Sequence, residues 1–239
     1  MSGFLILVII QTPFAQKNKT DKGEQWLDSG LTRYENGDYK QAVILFSKKI
    51  KKDPDNPEAY LLRNICYRKL EKYEVVIDDA TMILKKFPKN ADIYYSRGYV
   101  YAMLGDDKQA VRDFTKAIKL NPGNPNVYYN RAISLDEMGR PCKALEDFSR
   151  AIELNPNDPD YYYDRGLLNE AMKYFQEAIL DYSKVLELNP NDAEVYFNRA
   201  VLFARSKQFD DACSDLQKVL EMKFEEEEAE IIYESFCNQ

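Results

Sequence analysis

Tyr128-Tyr129-Asn130-Arg131-Ala132, followed after a short gap by Lys143-Ala144-Leu145-Glu146-Asp147-Phe148-Ser149-Arg150-Ala151-Ile152-Glu153-Leu154-Asn155-Pro156, is the stretch that decides the fold. Its second part sets Ala144, Leu145, Phe148, Ala151 and Ile152 at i, i+1, i+4, i+7 and i+8, which is one face of a helix. Val127 to Glu137 forms an earlier periodic stretch, and Met138-Gly139-Arg140-Pro141 breaks the two apart. Asn155-Pro156-Asn157-Asp158-Pro159 then ends the second helix and starts a third. A residue before proline is pushed out of helical geometry, while proline itself is tolerated in a first turn.

Outward from this stretch the pattern returns every 34 residues. Proline stands at Pro54, Pro88, Pro122, Pro156 and Pro190. An aromatic stands at Trp26, Tyr60, Tyr94, Tyr128, Tyr162 and Tyr196, and a small residue at Ala42, Val76, Ala110, Ala144, Ala178 and Ala212. The units are 23–56, 57–90, 91–124, 125–158, 159–192 and 193–226, with no insertion or deletion. A helix pair of this size cannot bury its apolar face alone, so stacked pairs must share a core.

The period, the opening aromatic, the small residues and the closing proline resemble the tetratricopeptide repeat (TPR) family, over 204 of the 239 residues. The resemblance implies an all-α protein, a right-handed α-solenoid of six helix pairs with a C-terminal cap at 227–239. It also implies a non-enzymatic scaffold or adaptor for protein–protein interaction. First helices of that family line a concave groove, where positions 2, 5, 6, 9, 12 and 13 of a repeat meet ligands. Position 5 is Leu27, Leu61, Tyr95, Tyr129, Tyr163 and Phe197 here, and position 9 is Leu31, Ile65, Tyr99, Ile133, Leu167 and Val201. Position 2 is Glu24, Glu58, Asp92, Asn126, Asp160 and Glu194, an acidic edge. The expected occupant is a protein or peptide segment with apolar side chains and some Lys or Arg. The Lys, Asn and Arg with which chaperone-binding members hold a terminal carboxylate are missing in combination. Several of the aromatics could equally pack between repeats. The alternative reading is a structural spacer of a cell-envelope complex that uses its outer face or ends.

Two charged columns accompany the repeats. Arginine occupies Arg63, Arg97, Arg131, Arg165 and Arg199; aspartate occupies Asp79, Asp113, Asp147, Asp181 and Asp215. Repeat 1 lacks both, with Ser29 and Leu45 in their places, so pairing within a repeat is expected. The rival is a ladder of arginines holding an acidic ligand. Repeat 2 exchanges volume, with Val76 where others have Ala and Ala80 where most have an aromatic. Repeat 6 ends on Phe224 and not on proline, so its second helix either runs into 225–236 or breaks into a separate cap. Ile231, Ile232, Tyr233 and Phe236 could then cover the last repeat, with Glu225 to Glu228 solvating that end. Four successive glutamates on a helix cannot converge on a metal ion.

Composition narrows the chemistry. The chain has no histidine, which removes a His-based triad and the commonest zinc ligand. A net charge of −7 argues against non-specific nucleic-acid binding, and 18 tyrosines against a disordered acidic chain. No phosphate-binding or dinucleotide-binding glycine loop and no nucleophile elbow occurs, so neither a cofactor nor a metal is expected. Phe4 to Ile10 followed by Ala15 reads as a short signal peptide over 1–16, with a linker at 17–22 and a mature start near Gln16. That reading makes the protein periplasmic or secreted, with no membrane span after signal removal; otherwise it is cytoplasmic. Asn18-Lys19-Thr20 fits a glycosylation sequon. Of the cysteines, Cys66 and Cys213 read as core residues, and Cys213 with Cys237 is the disulfide candidate if the chain is exported.

Overall fold

A computed structural model describes residues 22–224 and 226–237. The expected signal peptide, its cleavage point, the sequon and Glu225 lie outside the described residues, as does the side chain of Phe236. Lys22, expected in a linker, already belongs to the first helix.

The described residues form helices and no strand. They are α1 (Lys22–Glu35), α2 (Tyr39–Lys52), α3 (Pro57–Lys69), α4 (Tyr73–Lys86), α5 (Ala91–Met103), α6 (Asp107–Leu120), α7 (Pro125–Glu137), α8 (Pro141–Leu154), α9 (Pro159–Ala171), α10 (Phe175–Leu188), α11 (Ala193–Arg205), α12 (Phe209–Glu221) and α13 (Glu226–Phe236). Two compact units divide the chain after Pro88. The first contains α1–α4, which are repeats 1 and 2; the second contains α5–α13, which are repeats 3–6 and the cap. Within each unit the helices pack as the pairs of an all-α solenoid, each pair against the next.

Local chemistry sets the helix ends. The last residue of repeats 1 to 5 is Asn56, Asn90, Asn124, Asp158 or Asp192, and its side chain accepts a backbone N–H of the following helix. That satisfies one of the otherwise unpaired donors of a first turn. Between the two helices of each repeat, position 15 takes positive φ: Gly37, Glu71, Gly105, Gly139, Lys173 and Lys207. Three repeats use glycine there, and the other three hold a side chain in the left-handed region that disfavours it.

Position 8 controls how closely paired helices approach. A Cβ built on Gly30 would lie 2.5 Å from the Phe46 ring, and one on Gly166 would lie 2.8 Å from Tyr182. Repeat 2 solves the same contact differently. Ala80 replaces the ring, and Asn64 takes the glycine position, fully inside, donating to the Val76 carbonyl at 3.1 Å. The volume lost at Ala80 is therefore shared between Val76 and Asn64.

Repeat 6 breaks and does not run on. Its second helix stops at Glu221, Lys223 turns at φ 56°, and α13 starts anew at Glu226, one residue before the expected cap boundary. Ala229, Ile232 and Tyr233 pack over Ala200, Leu216 and Val219. A disulfide joins Cys213 of α12 to Cys237 just beyond α13, with the Cα atoms 5.7 Å apart.

Candidate functional site

The first helices of the second unit carry the groove positions at i, i+3 and i+7. Position 5 fills in rather than opens. Tyr95 is only 5% exposed, and its ring packs on Phe114 at 6.0 Å. The Tyr129 ring packs on Phe148 at 5.8 Å and on Tyr161 at 4.9 Å. Tyr163 stacks near Tyr182, and Phe197 near Phe224. Their polar ends join successive repeats: Tyr129 donates to Asp164 Oδ2 at 2.5 Å, Tyr163 donates to Glu194 Oε1 at 2.6 Å, and Asn130 donates to the Tyr95 hydroxyl at 3.2 Å. Tyr95, Tyr129, Tyr163 and Phe197 are therefore engaged in packing between helices, and Tyr95 is buried.

Position 9 is what solvent reaches. Ile133 is 37% exposed and Leu167 40%, with Tyr99 and Val201 half-buried at the same position. In the first unit the corresponding places belong to the core: Leu27, Leu61 and Ile65 are buried, and Leu31 packs against the cluster that holds Leu27 and Phe46. The groove positions of the two units are thus chemically unlike.

The acidic positions are partly withdrawn from water. Burial raises the carboxyl pKa of Asp92, and burial with the neighbouring Asp158 and Asp164 raises that of Asp160. Asp164 is raised by burial against the opposing hydrogen bond from Tyr129. Burial, together with the hydrogen-bonded carboxylate of Asp164 for Tyr129 and of Glu194 for Tyr163, pushes both phenols upward, so both remain protonated donors at neutral pH. Glu194 stays exposed, and Glu58, in the first unit, is raised by burial and by Glu24.

The arginine column lies within repeats. Arg131 Nε and Nη2 donate to Asp147 at 2.6 and 2.7 Å, a two-pronged pair that recurs as Arg63–Asp79, Arg97–Asp113, Arg165–Asp181 and Arg199–Asp215. These aspartates are mostly buried, so the column faces inward and offers no ladder for an acidic ligand. Two supports had no place in the sequence reading. Arg63, Arg131, Arg165 and Arg199 also donate to Ser47, Thr115, Ser149 and Ser183 of the preceding repeat. Each guanidinium also lies over the opening aromatic of its own repeat, as Arg131 does over Tyr128 at 5.8 Å. A hydroxyl sixteen residues before each of these arginines was the signal available for the first.

Among the described residues no group of three or more Cys, Asp or Glu could hold a metal ion, and no helix is long and apolar enough to cross a membrane. Cys66 is buried and its thiol is pushed up to about 12 by burial, which makes it unreactive.

Models described as tetratricopeptide repeat match residues 91–124, 125–158 and 193–226, and one described as TPR repeat matches 174–207; together they span just over half of the chain. None of the curated proteins matches the sequence. Among solved structures, YrrB, titled a TPR protein with an unusual peptide-binding site, is 23% identical, with a TM-score of 0.68 over 79% of this chain and 97% of its own. The structure of MamA is 24% identical, with a TM-score of 0.63 over 66% of this chain and 92% of its own. Pseudomonas aeruginosa pilF is 18% identical, with a TM-score of 0.72 over 84% of this chain and 91% of its own. Likeness at these identities carries the fold.

Proposed function

The chain belongs to the tetratricopeptide repeat family, and from that premise we propose that it is a non-enzymatic scaffold that holds a segment of a protein partner along repeats 3 to 6. The observation that carries the reading is the row at position 9. Ile133 and Leu167 stand open to solvent, between Tyr99 and Val201, while the tyrosines at position 5 are taken up by packing. Apolar side chains of a partner would fill that row, and Lys or Arg beside them would meet Asp92, Asp160 and Glu194. YrrB, of similar fold, is titled as a peptide-binding protein, which agrees with this use of the groove.

Export of the chain is part of the proposal. Its supports are the apolar run Phe4–Ile10 and the Cys213–Cys237 disulfide, a bond that persists in oxidising compartments. N-terminal sequencing from the native host should find a start near Gln16; an intact Met1 or Ser2 would overturn it.

A photo-reactive residue at position 133 or 167 should cross-link to one discrete partner segment carrying apolar and basic residues. Ile133→Glu with Leu167→Glu should abolish binding of that segment without lowering the melting temperature. Undiminished binding by the folded double variant would refute the groove.

A further inference from the structure

The two compact units carry opposite charge. Residues 1–88 hold 15 Lys and Arg against 12 Asp and Glu, and residues 89–239 hold 18 against 28. The excess is +3 in the first and −10 in the second. In each unit one helix face gathers its charge around an exposed isoleucine.

On α2, Lys40, Ile44, Lys48 and Lys51 follow at i, i+4, i+8 and i+11 and so share one stripe. All four are exposed, Ile44 at 45%, while Ala42, Phe46 and Ile50 take the buried face. On α13, Glu227, Ile231 and Glu234 follow at i, i+4 and i+7, with Glu228 beside them. These are exposed too, Ile231 at 64%, while Ala229 faces the last repeat. The packing of α13 on its own unit leaves this stripe to solvent.

We infer that the two stripes are halves of one contact between copies: the glutamate-rimmed Ile231 stripe of one molecule docks on the lysine-rimmed Ile44 stripe of the next. Each has an apolar centre in a charged rim, and the rims are opposite in sign, which fixes partner and register. An anionic membrane surface or a nucleic acid would take the lysine stripe and repel the other. A second copy of this chain uses both. Because the two patches are different surfaces, the contact is heterologous, and copies join head to tail into rows or rings. The exposed row at position 9 takes no part in it.

Sedimentation velocity on the full chain tests this with three proteins. One is the wild type; one carries Lys40→Glu, Lys48→Glu and Lys51→Glu; one carries Glu227→Lys, Glu228→Lys and Glu234→Lys. Circular dichroism checks that both variants fold. The wild type should associate as its concentration rises at about 0.02 M salt and dissociate at about 0.5 M, where charges are screened within a few ångströms. Each variant alone has stripes of like sign and should associate at least about tenfold more weakly. An equimolar mixture has opposite stripes again and should recover association. A wild type that stays monomeric at low salt, variants that associate as it does, or a folded mixture that stays apart would each overturn the inference.

Discussion

Replacing Arg131 by methionine keeps much of the side chain's packing over Tyr128 but removes both prongs to Asp147 and the bond to Thr115. Asp147 is 7% exposed, so its carboxylate is left charged in a place water hardly reaches. Breaking a buried pair from one side costs about 3–5 kcal/mol. The side chains of this pair retain 19% and 10% exposure, which puts the expected loss at the lower end, about 3 kcal/mol. Asp147→Asn alone should cost less, because the freed guanidinium can turn towards solvent, and it removes the stranded charge in the double variant. Urea unfolding followed by far-UV circular dichroism measures the four corners of the cycle, with hydrogen exchange in α7 and α8 locating the loss. The coupling should be at least about 1.5 kcal/mol. Losses that add to within about 0.5 kcal/mol would refute the pairing as a source of stability, whatever the geometry.

Lys173→Gly should stabilise the protein by about 1 kcal/mol in urea, since the position holds φ 64°; a loss of stability would sink the strain argument. Tyr129→Phe should lower stability by about 1–3 kcal/mol, because Asp164 loses its donor in a half-buried place; an unchanged urea midpoint would oppose this. Burial raises the carboxyls of Glu58, Asp79, Asp92, Asp160, Asp164 and Asp215, so the native chain keeps protons that an unfolded chain, at about pKa 4, has released. Their contribution is complete below that value and is lost as pH rises through the raised values, so the urea midpoint should climb as pH falls from neutral towards about 4. A midpoint that falls over that interval would contradict the sign. Cys213→Ser with Cys237→Ser opens a loop of 24 residues, worth roughly 3 kcal/mol by chain entropy. Faster amide exchange confined to α12 and α13 is the expected result, and equal protection with and without the bond would count against it.

The sequence by itself determined everything that depends on spacing along the chain. A 34-residue period with apolar residues at helical intervals and Asx–Pro stops points to a repeating helix pair, and the joint absence of Arg and Asp from repeat 1 pointed to pairing of the two columns, which the structure shows within each repeat that carries them. Spacing, however, names the face of a helix and not what covers it. Tyr95, Ile133 and Leu167 all lie on that face, yet Tyr95 is covered and the other two are open. The difference depends on which ring lies over which second helix and on hydroxyls reaching the next repeat, distances that exist only once the pairs are stacked. The tertiary structure likewise decided that repeat 6 breaks at Lys223, that Asn64 fills the space left by Ala80, and that Cys213 meets Cys237. Each outcome turns on how much room a neighbouring element leaves, a property that close packing sets in three dimensions.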